Sequence, residues 1–402
     1  MSTELLSPQA ADLEARRALV AAARDIVPLL KQEAEHNERL RHLSDITADA
    51  LRGAGMFRLA SPRAHGGHET GLRTALEVTA ELAKGDPSAA WVPMVMTGTA
   101  LLAGLLPEEA RKDIWVGNPD AAIVGGLTPS GSARPVADGL VVSGRWSFLS
   151  GVDLADWALI AAMRTDEGGQ PVEPIVVLVP AEQLTIEDTW HVAGMAGSGS
   201  NSAVAEEVHV PQHRVLSMPL LLAGAYAEGR DSEPLYRTSV PSLLALGVVG
   251  PMLGAASELL EQARDIASRK PMALTTYARL ADSPSVQLAI ADAASLIDTA
   301  YLHAFRSADD VDCAAFEGRQ LSLNERARVR MDTGVAANRT REAVDLLVSV
   351  CGAGSFAHTS VVQKLWRDLN VASRHGVVNA NLAREIYGRT LLGIDEMPTF
   401  II

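Results

Sequence analysis

The sequence is short of cysteine, aromatic residues, positive charge and long apolar runs. Its 402 residues include two cysteines, Cys313 and Cys351, which lie far from any metal-ligand spacing. A single disulfide between them stays open on count alone; a thiol-containing cytoplasmic protein is the simpler expectation. Aromatic residues make up 4% of the chain, so no stacking stripe points to an aromatic ligand. Lys and Arg number 35 against 49 Asp and Glu, a net charge of −14. No broad basic face is left for nucleic-acid phosphates, although a local basic pocket for an anionic cofactor fits within that total. The apolar run Val240–Leu253 contains Pro and Gly and falls short of the roughly 20 residues of a membrane helix. Met1–Glu14 has neither the basic start nor the apolar centre of a signal peptide, so neither export nor a membrane is expected. His65 and His68 have a metal-like spacing but no Cys or carboxylate cluster beside them, and no metal is expected. No GxGxxG follows a strand, so a Rossmann nicotinamide site is not visible.

What is present has globular composition, 48% hydrophobic and 21% charged, in a chain long enough for more than one core. The texture changes twice. Residues 1–118 read as an N-terminal helical region, with Leu19, Ile26, Leu29 and Leu30 near helical spacing and a loop at Ser61–Gly67. Residues 119–222 read as a central β domain. Ala121–Val124 is a strand ending in Gly125-Gly126, and Leu140–Gly144 follows the turn dipeptide Asp138-Gly139. Trp157–Met163, Ile175–Val179 and Ala203–Val210 are further strands. Residues 223–402 read as a C-terminal four-helix bundle over about Val240–Ser268, Ser285–Arg306, Leu321–Cys351 and Val361–Leu392, the last broken near His375-Gly376. The class is therefore α+β, in the order helical, β, helical.

Four segments carry a family resemblance on top of this order. Leu51–Arg58 runs through Pro62-Arg63 to Gly66-Gly67; Gly144–Gly151 ends in Ala155-Asp156-Trp157. Gly194–Asn201 is followed by Val208–Pro211, and Gly352–Ser355 by Leu365–Asp368. In this order and spacing they resemble the acyl-CoA dehydrogenase superfamily over nearly the whole chain, which implies the acyl-CoA dehydrogenase-like fold. Two features resemble one branch, the two-component flavin-dependent monooxygenases. One is Trp146–Asp153, which reads Trp-Ser-Phe-x-Ser-Gly-Val-Asp where the dehydrogenases usually have a Trp-Ile-Thr-Asn type of loop. The other is Ser373–Gly376, which offers His375 where many dehydrogenases place a catalytic Glu-Gly.

The resemblance implies an oxygenase component that uses reduced flavin (FMNH2 or FADH2) and O2, through a C4a-hydroperoxide, to hydroxylate or N-oxygenate a small organic substrate. It also implies a separate NAD(P)H-flavin reductase and a homotetramer. Ser150 and His375 are the catalytic candidates: a hydroxyl on a rigid strand end can hold the flavin N5–H, and a histidine titrates near neutral pH. Their plain alternatives are a turn hydroxyl capping its own backbone and a helix-end histidine bonded to a carbonyl. Gly126 and Thr128 are candidates for the flavin's pyrimidine edge, Trp146 and Ser147 for its ring. Ser198, Ser200 and Asn201 offer hydroxyls and backbone N–H groups suited to an anion or ribityl chain. Gly352, Gly354 and Ser355 would reach a neighbouring subunit's cofactor, and Trp91 would line the substrate pocket or the core. The alternatives are an FAD-dependent acyl-CoA dehydrogenase and a cofactor-free scaffold that kept only the fold.

Overall fold

The structure is a computed structural model that describes residues 8–230, 232–399 and 401–402; the first residues of the Met1–Glu14 stretch lie outside it. Five helices come first: α1 (Pro8–Leu40), α2 (Asp45–Gly53), α3 (Leu72–Ala83), α4 (Pro87–Gly104) and α5 (Glu108–Trp115). Seven strands follow: β1 (Ile123–Val136), β2 (Gly139–Trp146), β3 (Trp157–Thr165), β4 (Pro171–Pro180), β5 (Thr185–Glu187), β6 (Ser202–Pro211) and β7 (Val215–Ser217). The chain then returns to helices: α6 (Met218–Leu222), α7 (Val240–Leu246), α8 (Gly250–Arg269), α9 (Pro284–Phe316), α10 (Leu323–Cys351), α11 (Val361–Ala372) and α12 (Ala380–Leu391). The expected helical, β, helical order is what forms.

The strands make one sheet in the order β5-β6-β2-β1-β3-β4-β7, antiparallel except for the β1–β3 pair. The turn at Asp138-Gly139 joins β1 to β2 as its dipeptide predicts. Gly139 has φ +156°, and a Cβ there would stand 2.2 Å from the Val210 carbonyl oxygen. One strand departs from expectation. β1 does not stop at Gly125-Gly126 but runs on to Val136, because its register against β3 slips between Gly126 and Gly131 and pairing then resumes.

Both faces of the middle strands are buried, which sequence alternation alone does not show. Leu159 and Ala161 of β3 pack with α3, α5 and α7, whereas Ala158, Ile160 and Ala162 pack with α1, α2 and α4. The helical regions before and after the sheet therefore share its cores. They also touch directly where α3 crosses α8. A Cβ on Gly254 would sit 1.9 Å from the Ala80 carbonyl oxygen, and one on Gly250 would sit 2.0 Å from the Thr79 hydroxyl. Asp312 of α9 caps α3 from the other side, accepting from the Leu72 and Arg73 amides at 2.8 and 2.9 Å.

Val240–Arg269 has the length and apolarity of a membrane span once α7 and α8 are read through the 3₁₀ turn Gly247–Val249, longer than the run judged from sequence. With 78% of its most apolar window buried inside the protein, it serves as a core helix. The last helical candidate divides into α11 and α12 on either side of His375-Gly376, as expected. Cys313 and Cys351 are free thiols.

One ionic cluster ties the three regions together. Lys364 on α11 donates to Asp86, the N-cap of α4, at 3.0 Å and to Asp368 at 2.6 Å. Asp368 in turn accepts from the Met195 amide at 2.6 Å, and Asn37 of α1 donates to Asp86 at 3.2 Å. All four side chains are buried. Burial pushes the Asp86 carboxyl above its usual range; burial alone would lower Lys364, but its two carboxylate partners outweigh it and hold the ammonium charged.

Two outcomes are expected. Lys364→Met strands two buried carboxylates and should cost about 3–5 kcal/mol in urea unfolding; a loss below about 1 kcal/mol would show that the cluster does not hold the fold. Gly254→Ala should cost about 1–3 kcal/mol by forcing α3 off α8, read as a lower thermal midpoint.

Candidate active site

A cavity of about 560 Å³ lies between the sheet and the flanking helices. Its floor comes from α3 and α4, through Leu72, Ala75, Thr79, Met94 and Gly98. One side is the first part of β1 at Gly125–Thr128 with the end of β2 at Trp146 and the loop behind it. The other is α7, the Gly247–Val248 turn and the end of α11 from Val371 to Val377. Most of this wall is apolar, and among the described residues no Asp or Glu lines it. The polar groups are few and placed by identifiable contacts.

Ser150 is one of them. The loop after β2 is tied to the Met195–Asn201 loop by two backbone bonds, Leu149 N–H to Asn201 O at 3.0 Å and Gly151 N–H to Ser198 O at 2.8 Å. Gly151 takes φ +76°, and a Cβ there would press on Val92 at 2.8 Å, so glycine is required for the loop to lie on α4. This brings Ser150 Oγ under the Trp91 indole, whose N–H donates to it at 3.1 Å. Ser150 Oγ also bonds Ser200 Oγ at 2.7 Å, and Ser200 Oγ bonds Ser198 Oγ at 2.7 Å. The three hydroxyls form a buried chain opening on the cavity. A hydroxyl has one proton to give, and Trp91 fills an acceptor position of Ser150, so that proton goes to Ser200 or to a ligand. Ser150 is thus more than a turn hydroxyl closed on its own backbone.

His375 lies across the cavity from this chain, with its ring edge-on to Trp91 at 5.8 Å. Its Nδ1 accepts from the Val377 amide at 3.5 Å, where an ordinary helix-end histidine would have donated to a carbonyl. Nε2 has no protein partner among the described residues. The residue is exposed where it faces the cavity, and the protein packed around the ring, followed by the positive charge of Arg330, moves its pKa below the usual histidine value, a direction that favours the neutral imidazole at pH 7.

The remaining candidates divide. Gly126, Thr128, Trp146, Ser147, Ser198, Ser200 and Trp91 all line the cavity with Ser150 and His375. Trp146 is also a structural plank: buried, its indole N–H donating to Ala161 O at 2.7 Å, and lying so close that a Cβ on Gly131 would meet it at 2.4 Å. Asn201 stands behind the wall. Its carboxamide oxygen accepts from the Thr189 and Trp190 amides, both at 3.0 Å, so it braces Trp190 at the mouth. Gly352, Gly354 and Ser355 lie beyond the far end of α10, outside the cavity of this chain, where the Ser355 hydroxyl donates to Gly352 O at 2.6 Å.

Sequence reasoning missed the α3 floor, the Leu243–Val248 segment, Arg374 and the Phe148–Trp190 pair, whose rings meet edge-on at 6.0 Å at the mouth. A glycine inside the apolar Val240–Leu253 run was the one available signal for the second of these.

Residues 246–380 match the family described as acyl-CoA dehydrogenase, C-terminal domain. The chain is 33% identical to the oxygenase component of an FADH(2)-dependent resorcinol hydroxylase of Rhizobium sp. (strain MTP-10005), over 97% of each chain. It is 28% identical to the flavin-dependent monooxygenase oxygenase subunit HsaA of Mycobacterium tuberculosis, over 96% of this chain and 98% of that one. The solved structure of XiaF from Streptomyces sp., in complex with FADH2 and glycerol, superposes with a TM-score of 0.94 at 32% identity, covering 96% of this chain and 98% of that one. Oxygenase components of this kind receive reduced flavin from a separate reductase. The chain belongs to the acyl-CoA dehydrogenase superfamily, in its branch of oxygenase components of two-component flavin-dependent monooxygenases.

Proposed function

We propose that the cavity takes reduced flavin beside a small aromatic substrate and that the protein hydroxylates that substrate with O2. The observation that carries this reading is the Trp91–Ser150–Ser200–Ser198 chain facing His375 in a pocket that no carboxylate lines among the described residues. An acyl-CoA dehydrogenase needs a carboxylate to remove the α-proton of its thioester, and this wall offers none. The relatives named for resorcinol and for XiaF's FADH2 complex favour an aromatic substrate and FADH2 over FMNH2.

The residues present fit a flavin. Trp146 supplies a flat apolar wall, and the Thr128 hydroxyl on β1 has no protein partner of its own among the described residues. Thr128 and Ser147 would hold the polar edge of the ring system, and Ser198 and Ser200 its neighbouring side. Bound in reduced form, the group supplies the two electrons that activate O2. Ser150 would hold the proton at the ring's N5, with its own orientation set by the Trp91 donor. The apolar wall keeps water from that proton. His375 would bond the substrate's polar atom through Nε2.

A homotetramer is part of the same reading. Leu288 and Leu302 on α9 and Leu391 and Leu392 beside α12 stand more than half exposed, an unusual density of apolar side chains on the bundle surface. Packed against a second copy, the Gly352–Ser355 turn would reach the neighbour's cofactor. Light scattering should give four chains per particle. Cytoplasmic location completes the proposal, supported by the free thiols.

With reduced flavin from a generic reductase, the protein should convert phenols or indoles to hydroxylated products carrying one atom of the supplied O2. Oxygen uptake that yields only hydrogen peroxide with every aromatic tried, together with oxidation of acyl-CoA thioesters, would overturn the reading. Ser150→Ala should lower the ratio of hydroxylated product to hydrogen peroxide about tenfold, the effect of one lost hydrogen bond of ~1–1.5 kcal/mol. Trp91→Phe should shift the ratio in the same direction by less. The double variant should be no worse than Ser150→Ala, since both changes act on one hydroxyl.

A further inference from the structure

Five glycines line the cavity, and three of them stand where a side chain would fit. A Cβ on Gly125 would lie 2.5 Å from Thr99 Cγ2, and one on Gly126 would lie 3.2 Å from Trp146 Cβ. Gly125 is thus held to glycine by contact, and Gly126 has little space beside it. Gly98, Gly247 and Gly376 differ, since a Cβ on any of them would meet nothing within 4 Å. None has a positive φ; Gly98 lies inside α4, and Gly247 has the helical values φ −53° and ψ −37°. Gly376 adjoins His375 at the polar end of the cavity, and the other two lie away from it. A glycine inside a helix weakens it relative to alanine. Neither backbone geometry nor packing accounts for Gly98, and what it provides is open space.

That space has a definite place. Trp91 marks the polar end, where its indole donates to Ser150 Oγ at 3.1 Å and meets the His375 ring edge-on. Gly98 follows on the same face of the same helix, about 10 Å further along its axis. Leu102, one turn beyond, also lines the cavity. Here α4 packs against α3 and against the Gly247–Val249 turn, which bring Ala75, Thr79 and Gly247 to the same wall. The threonines at this end have no donor to offer a ligand. Thr79 donates to Ala75 O and Thr97 to Pro93 O, both at 2.7 Å, and Thr99 turns to the sheet and donates to Ile123 O. The cavity therefore has a polar end at Ser150 and His375 and an apolar extension past Gly98.

We propose that Gly98 is a specificity-determining residue, whose missing side chain opens this extension to a second, apolar ring carried by the aromatic substrate. The inference rests on the aromatic hydroxylase reading and deepens it. The ring to be oxygenated lies at the polar end beside Ser150, and the second ring runs along α4 past Gly98 toward Leu102. Gly247 widens the same extension from the end of α7. A second ring that fills this space removes apolar surface from water, a gain that a single-ring substrate does not reach. Size is then read about two helical turns from the reacting atoms, by a residue that makes no hydrogen bond to the substrate.

The test reads binding without turnover. Phenol and 4-phenylphenol are titrated into the protein by calorimetry, without oxygen and with FADH2 present. The wild type should bind 4-phenylphenol at least about tenfold more tightly than phenol. Gly98→Val should weaken 4-phenylphenol about tenfold and phenol less than about twofold, because only the second ring meets the new side chain. Gly98→Ala and Gly247→Ala should shift the preference in the same direction by less. Thermal melting separates a packing role: Gly98→Ala should raise the midpoint by about 1 °C, whereas Gly125→Ala should lower it. No preference in the wild type, a preference that survives Gly98→Val, an equal loss of both ligands, or a lower midpoint for Gly98→Ala overturns the proposal. None of these outcomes touches the oxygenase reading, which oxygen incorporation into product decides separately.

Discussion

Two carboxylates share one buried ammonium where the three regions of the chain meet. Asp86 begins α4, Lys364 and Asp368 are one turn apart on α11, and Asp368 holds the amide of Met195, a residue in the left-handed region at φ 58°. Trp91 lies five residues after Asp86, Ser198 and Ser200 follow Met195, and His375 follows the end of α11. Trp91, Ser198, Ser200 and His375 therefore hang from elements that this cluster clamps, and the Ser150 loop is tied to one of them by backbone bonds. An ion pair buried so fully contributes little net stability over an apolar packing of the same shape, but it fixes one arrangement because no other satisfies both acids. Hydroxyls that must meet at 2.7 Å across two loops require that kind of definition.

Much of the frame was legible in the sequence because it depends on local patterns. Helical periodicity, the Asp138-Gly139 turn and the four spaced motifs gave the order of elements and most of the cavity wall. The break at His375-Gly376 was legible for the same reason. What was not legible depends on register and on long-range packing. Gly125-Gly126 read as a strand end, yet a register slip lets β1 continue past it. Asn201 read as a cofactor contact; its carboxamide oxygen accepts from two backbone amides behind the wall, a bracing role that local pattern does not show. Residues such as Thr79 and Leu243 have no local signature, because they belong to the cavity only through the crossing of α3, α7 and α8.

The superfamily frame leaves the chemistry to a handful of side chains, and here the sign of their charge decides it. A carboxylate in this wall would favour removing a proton from carbon and would repel an oxyanion. The wall instead holds hydroxyls that can give or accept a proton, a histidine whose pKa is lowered by the protein packed around it, and among the described residues no acid. Such a site has no strong base of its own, so it cannot drive the ionisation of carbon acids. Among aromatic substrates a phenol, which like a tyrosine side chain ionises at about pH 10, is a stronger acid than an indole N–H and leans less on a base in the wall.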